Sequence, residues 1–124
     1  MHELSIAYSI VEVASEAAQA ANAIRVDVVR IRLGALAGVV KGALLFSWDI
    51  ATQNTPLAGA RLEIEELPVV VYCPTCQVNV TLPGTQNFRC PHCATPTAQI
   101  VQGRELEVKS LEIMDGMADD LTPA

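Results

Sequence analysis

Four cysteines, arranged as two Cys-x-x-Cys pairs, constrain this chain more than any other feature. The pairs begin at Cys73 and Cys90, and thirteen residues separate one pair from the next. A two-residue gap lets one tight turn aim both sulfurs at a single point, and two such turns supply the four ligands of a tetrahedral Zn²⁺ ion. The spacing therefore predicts a structural zinc site whose ligands are Cys73, Cys76, Cys90 and Cys93.

Two other uses of four cysteines compete with zinc. Four thiolates also bind iron, but Tyr72 and Phe88 are the only aromatic residues in this segment that could shield a redox metal. Dithiol–disulfide exchange requires one pair at a helix N-terminus, whereas these pairs lie among short strand patterns and turns. Four thiolates leave no open position for water, so a zinc ion here is expected to be structural rather than catalytic. His92 is interpreted as a solvent-facing residue, with exchange for a cysteine ligand as the alternative.

The hydrophobic pattern on either side of the cysteines predicts an α+β fold. Helical spacing extends from Leu4 to about Ala21 and returns from Val40 to Ala51. The apolar face of the first helix includes Leu4, Tyr8, Ile10, Val11 and Ala14. Strand alternation is found over Arg25–Leu33, Ala60–Leu67 and Glu105–Met114.

The last of these strands needs a partner, because a lone strand leaves its backbone donors and acceptors unpaired. We therefore expect two helices packed on a small mixed sheet of about three strands, formed by residues 1–68 plus 104–114. Residues 69–103 are expected to form an inserted zinc-ribbon domain, and residues 115–124 a flexible tail. The short strands of the ribbon are predicted at Val78–Leu82, Asn87–Arg89 and Gln99–Val101.

Charge and hydropathy exclude several classes of partner. The chain has a formal net charge of −6, and Arg89 is the only charged residue between positions 70 and 103. The alternative function is a zinc ribbon that acts as a nucleic-acid-binding or interaction module. Binding to nucleic-acid phosphates takes several cationic contacts, so no nucleic acid partner is expected. No run approaches the roughly 18 apolar residues of a membrane span, and no signal peptide is visible. We expect a cytoplasmic protein without a membrane partner.

The N-terminal residues Met1, His2 and Glu3 form a second candidate metal site. An α-amine on Met1 and the backbone nitrogen of His2 close a five-membered chelate ring, and that nitrogen and the imidazole close a six-membered ring. Three nitrogens in one plane, with a fourth position left for Glu3 or another donor, suit Ni²⁺ or Cu²⁺. A histidine at position two also occurs by chance, so these residues alone leave the site open.

Catalysis has no support in the sequence. There is no Ser/His/Asp set and no phosphate-binding loop, and the adjacent carboxylates of Glu65 and Glu66 are typical of a solvated strand end. We expect that the protein is not an enzyme.

Several motifs, taken in order, resemble the HypA/HybF hydrogenase nickel-incorporation proteins. They are the Met-His-Glu start that leads into a helix, Leu33-Gly34, the segment Ala60–Pro68, the two cysteine pairs and the stretch Gly103–Glu112. The resemblance covers residues 1 to about 114. It implies that His2 is the principal nickel ligand, that Met1 and Glu3 contribute, and that the four cysteines hold structural zinc.

The same resemblance implies a function. Members of this family are nickel metallochaperones that carry Ni²⁺ as transient cargo and work with a nickel-handling maturation GTPase. They deliver the ion to the large-subunit precursor of [NiFe]-hydrogenase, and some also serve urease maturation proteins. Some members carry histidines flanking the cysteine pairs that are linked to zinc-site switching. Here the one candidate, His92, lies inside the second pair, so that role is not carried over.

Overall fold

A computed structural model describes residues 2–115, so Met1 and residues 116–124 of the predicted tail lie outside the described residues. Helical and strand segments alternate along the described chain much as the sequence pattern predicts. Their bounds are α1 Glu3–Ala20, β1 Ala23–Gly34, α2 Lys41–Ala51, β2 Arg61–Leu67, β3 Val70–Cys73, β4 Val78–Thr81, β5 Ile100–Gln102 and β6 Leu106–Asp115.

The first sheet has the strand order β2-β1-β6. Ion pairs join Arg30 to Glu63 and Arg32 to Glu65, so residue numbers rise in the same direction along β1 and β2. These two strands are therefore parallel, and α2 provides the helical crossover that a parallel pair requires.

Strand β6 pairs with the other edge of β1 in the opposite sense. The Gly34 N–H at the end of β1 donates to the Glu105 carbonyl just before β6, at 2.7 Å, whereas Arg30, earlier in β1, contacts Glu112, later in β6. Residue numbers rise on one strand as they fall on the other, which is antiparallel pairing. The sheet is mixed, and the predicted α+β fold of two helices and a small sheet is confirmed.

Two compact units make up the described chain. Residues 2–31, 39–64 and 107–115 belong to the first, and residues 32–38 and 65–106 belong to the second. The second unit contains the whole segment predicted as the zinc ribbon together with the end of β1. The domain boundaries drawn from the sequence remain a prediction.

The core of the first unit is made by the buried stripes of α1 and α2. Leu44 and Trp48 of α2 are buried, and the Trp48 indole Nε1–H donates to the buried Ala60 carbonyl at 2.9 Å. The indole thus contributes a large apolar surface and satisfies its own polar group. The core members from α1 are Ala7, Ile10, Val11, Ala14 and Ala18.

Two residues of α1 depart from the predicted packing. Leu4 is 40% exposed and Tyr8 is 51% exposed, although the sequence places both on the apolar face. The buried stripe of α1 contains Ile10, Val11 and Ala14 together with Ala7 and Ala18, and Leu4 and Tyr8 lie outside it. Neither helix among residues 2–115 combines the length and hydropathy needed to cross a bilayer.

The second unit contains a three-stranded antiparallel sheet of order β4-β3-β5. Val70 pairs with Thr81 on one side and with Gln102 on the other, and the β3–β4 register ends with Cys73 opposite Val78. The predicted strand at Asn87–Arg89 is wrong, because that segment makes only an isolated bridge between Arg89 and Pro96. Within this segment, the Phe88 carbonyl accepts a hydrogen bond from the Thr97 N–H at 2.8 Å.

Gly34 ends β1 where two backbone segments come very close. The Leu36 N–H donates to the Gly103 carbonyl at 2.6 Å, and the Gly34 N–H donates to Glu105. A Cβ atom on Gly34 would lie 2.1 Å from the Gly103 carbonyl oxygen. Only a residue without a side chain fits at this position.

Candidate metal centre

Each cysteine pair is shaped by the same backbone turn. The Gln77 N–H donates to the Cys73 carbonyl at 2.7 Å, and the Ala94 N–H donates to the Cys90 carbonyl at 2.8 Å. Gln77 and Ala94, each four residues after the first cysteine of its pair, have φ of 57° and 61°. A left-handed residue at this point turns the chain back, so both sulfurs of a pair face one centre.

The four thiols converge on a single point, as the spacing predicts. The Cys73 Sγ–Cys93 Sγ distance is 3.5 Å, and Cys76 Sγ lies 3.9 Å from Cys90 Sγ and 3.6 Å from Cys93 Sγ. All four sulfurs lie within 4.8 Å of one another. A tetrahedron with Zn–S bonds of about 2.3 Å has S–S edges of about 3.8 Å, so the sulfurs fit a Zn²⁺ ion at their centre.

Backbone amides contact two of these sulfurs. The Cys76 N–H points at Cys73 Sγ and the His92 N–H points at Cys90 Sγ, each at 3.4 Å. Hydrogen bonds of this kind orient metal ligands. The imidazole of His92 is exposed, in agreement with its interpretation as a solvent-facing residue.

Neighbouring groups shift the pKa values of two of the thiols, those of Cys76 and Cys93. The pKa of Cys76 is raised to about 12, chiefly by its hydrogen bond with Cys93, because adjacent thiols resist a second negative charge. The pKa of Cys93 is lowered to about 6, chiefly by its hydrogen bond with the Thr95 hydroxyl. A divalent cation at the centre favours deprotonation of all four thiols, which is how metal binding and proton release are coupled.

The sequence reasoning did not identify two hydroxyls beside the sulfurs. Thr95 Oγ1 lies 3.1 Å from Cys93 Sγ and 2.9 Å from Thr75 Oγ1, so hydrogen bonds link the two cysteine turns. Cys93 is the one exposed cysteine of the four. A threonine inside the first pair and another just after the second were the available signal, and only the folded turns bring them together.

His2 and Glu3 occupy the start of α1. His2 is the exposed N-cap residue, and its carbonyl accepts the first helical hydrogen bond, from the Ile6 N–H at 3.0 Å. Glu3 is buried, with 7% of its surface exposed, and its Oε2 accepts the Val40 N–H at 3.0 Å. This backbone bond is the main reason that the pKa of Glu3 is lowered. Met1, the remaining member of the candidate nickel site, lies outside the described residues.

Fold and site together define a small α+β metalloprotein with a structural, four-cysteine zinc module. The description of the matching family model is "Hydrogenase/urease nickel incorporation, metallochaperone, hypA", and it spans residues 1–113. This chain belongs to the HypA family.

Curated relatives and solved structures agree with this membership. A hydrogenase maturation factor HypA of Chloroflexus aggregans is 58% identical over 112 residues, which cover 90% of this chain and 98% of the relative. A hydrogenase maturation factor HypA of Chloroflexus aurantiacus is 59% identical over the same share of each chain. The solution structure of the Ni metallochaperone HypA from Helicobacter pylori matches with a TM-score of 0.66 and 22% identity, covering 93% of this chain and 99% of that one. At 22% identity, the similarity to the Helicobacter pylori structure supports the fold alone.

Proposed function

We propose that this chain is a nickel metallochaperone that binds Ni²⁺ through Met1, His2 and Glu3 and delivers it during maturation of [NiFe]-hydrogenase. Membership of the HypA family is the observation that carries the proposal. The exposed imidazole of His2 supports it, because a cargo ligand must be reachable by an acceptor.

The two metals have separate roles in this proposal. Cys73, Cys76, Cys90 and Cys93 hold Zn²⁺ permanently in the ribbon domain, residues 69–103, where four thiolates complete the coordination and exclude hydrolytic chemistry. Ni²⁺ binds only transiently, in the domain made of residues 1–68 plus 104–114. The protein therefore transfers an ion and catalyses no reaction.

Nickel transfer proceeds by ligand exchange. Nitrogen ligands on an exposed segment can be replaced one at a time by those of an acceptor, whereas a closed four-thiolate cage releases its ion slowly. Nickel binding requires a neutral imidazole, so we expect acid to release the ion.

The partners follow from the same proposal. A nickel-handling maturation GTPase works with the protein, and the large-subunit precursor of [NiFe]-hydrogenase receives the nickel; urease maturation proteins are a further recipient in some members. The names of the relatives, hydrogenase maturation factors, support hydrogenase as the recipient. These partners place the protein in the cytoplasm, with no nucleic acid or membrane partner.

Nickel titration of untagged protein tests the proposal. We expect uptake of Ni²⁺ by the unchanged chain, and loss of that uptake in His2→Ala and in a version with extra residues ahead of Met1. Zinc content and the circular dichroism spectrum should stay the same in all three. Equal nickel uptake by the unchanged chain and His2→Ala would reject the site.

A further inference from the structure

Glu3 stands apart from the other members of the candidate nickel site, because its carboxylate already has a structural contact. The side chain is buried, and Oε2 accepts the backbone N–H of Val40 at 3.0 Å, across 37 positions of sequence. Metal ligands on a cargo site need to face the ion and its acceptor. A buried carboxylate bound to backbone is better placed to hold the segment than to bind the metal.

The contact completes the N-terminus of a different helix. Val40 is the N-cap residue of α2, and its apolar side chain makes no capping hydrogen bond. In a capping box, an acidic residue three positions after the N-cap accepts the N-cap N–H. Here that position is Ala43, and α2 has no acidic residue in its first turn, so Glu3 supplies the missing acceptor from α1. Its negative charge also lies at the positive end of the α2 dipole.

His2 is fixed in consequence. It is joined directly to Glu3, and its carbonyl accepts the Ile6 N–H as the N-cap of α1. With Glu3 held by Val40 on one side and by α1 on the other, the backbone of His2 has few conformations left to lose when its nitrogens bind a metal. Removing conformational freedom before binding raises affinity.

We propose that Glu3 is a positioning residue, whose carboxylate links the start of α1 to the start of α2 and preorganises His2 for nickel, and that it donates no ligand to the ion. The inference rests on the proposed function and changes it at one point: Met1 and His2 remain the nickel ligands, and Glu3 contributes by positioning His2 instead of binding the ion. Nickel affinity then depends on the Glu3–Val40 hydrogen bond, although Val40 has no metal-binding group.

The test uses untagged full-length protein loaded with zinc and titrated with Ni²⁺ alone. Glu3→Gln keeps an oxygen that can accept the Val40 N–H hydrogen bond. It replaces the carboxylate with an amide, which is a poor ligand for Ni²⁺. Glu3→Ala removes both the acceptor and the charge. Glu12→Ala removes a charge from an exposed position of the same helix and is the matched control. Val40→Pro deletes the donor N–H without changing Glu3, and the φ of −86° at Val40 is close to the range of about −65 ± 15° that a proline ring imposes.

We expect Glu3→Gln and Glu12→Ala to bind nickel within about threefold of the unchanged chain, and Glu3→Ala to bind about tenfold more weakly, because the backbone of about one residue is released. The d–d absorption of bound nickel should be the same in every variant. Val40→Pro should reproduce the Glu3→Ala loss, and the two changes together should cost no more than either alone.

Three results would overturn the inference. Equal losses in Glu3→Gln and Glu3→Ala with a shifted d–d band would make Glu3 a ligand. Unchanged affinity in Glu3→Ala would remove its role altogether, as would unchanged affinity in a folded Val40→Pro. If Val40→Pro fails to fold, the nickel affinities of Glu3→Gln and Glu3→Ala still distinguish a positioning role of Glu3 from a ligand role. No uptake by the unchanged chain would instead refute the proposed function, and this inference with it.

Discussion

Replacing Gly34 with alanine tests the closest backbone approach in the fold. The new Cβ would lie 2.1 Å from the Gly103 carbonyl oxygen and 2.7 Å from the Arg104 nitrogen, whereas real Cβ contacts essentially never fall below 3.0 Å. All of these obstructing atoms are backbone, so no side chain can rotate away. One segment must therefore move by about 1 Å.

Such a shift disrupts two hydrogen bonds, from the Gly34 N–H to Glu105 and from the Leu36 N–H to Gly103. Each contributes about 1 kcal/mol, and the overpacking costs about 1–3 kcal/mol. We expect Gly34→Ala to lower the free energy of unfolding by about 3–5 kcal/mol, which is roughly 12–20 °C in Tm for a domain of this size.

Urea unfolding of zinc-loaded protein, followed by circular dichroism, measures this loss. Gly42→Ala is the matched control, because Gly42 lies in α2 with nothing within 4 Å of its added Cβ. That change should stabilise the protein by about 0.5–1 kcal/mol through helix propensity. A Gly34→Ala protein within about 1 kcal/mol of the unchanged chain would refute the reasoning.

Three further changes probe the zinc site, the core and the outer ion pairs. Cys76→Ser should abolish stoichiometric zinc in elemental analysis of purified protein, because three thiolates no longer close the tetrahedron; a full equivalent of tightly held zinc would contradict this. Trp48→Phe should cost about 2 kcal/mol in urea unfolding, because the buried Ala60 carbonyl loses its donor. Hydrogen bonds from Arg61 and Arg30 lower the pKa of Glu63 below 4.5, so its carboxylate stabilises the fold above that pH and loses this effect as pH falls through the lower folded-state value. Glu63→Gln should therefore be less stable than the unchanged chain at pH 7, and the difference should shrink below pH 4.5; a gap that is constant with pH would argue against it.

Local periodicity made most of the fold predictable from the sequence. The period of 3.6 residues gave α1 and α2, and alternation gave β1, β2 and β6 with bounds within a few residues of those observed. Strict alternation fails within β1 at Val28 and Val29, which are adjacent and both buried. Ligand spacing likewise anticipated the convergence of the four thiols.

Long-range contacts were not predictable in the same way. Leu4 and Tyr8 fit an apolar helix face, but the folded core buries a neighbouring stripe of α1 that leaves both of them exposed. The hydrogen bond between Glu3 and Val40 spans 37 positions and involves a backbone donor whose residue type carries no signal. Contacts of this kind depend on the assembled tertiary structure.

If nickel binds as proposed, the hydrogen bond between Glu3 and Val40 also limits how far the bound ion can move. The Cα of His2 lies about 3.8 Å from that of Glu3 across one peptide bond, so its imidazole can sweep only a few ångströms. An ion bound to His2 would therefore stay close to the start of α1. Under the proposed function, an acceptor would have to bring its own ligands to the beginnings of α1 and α2. Substitutions that block transfer should then map to surface residues around that end of the two helices.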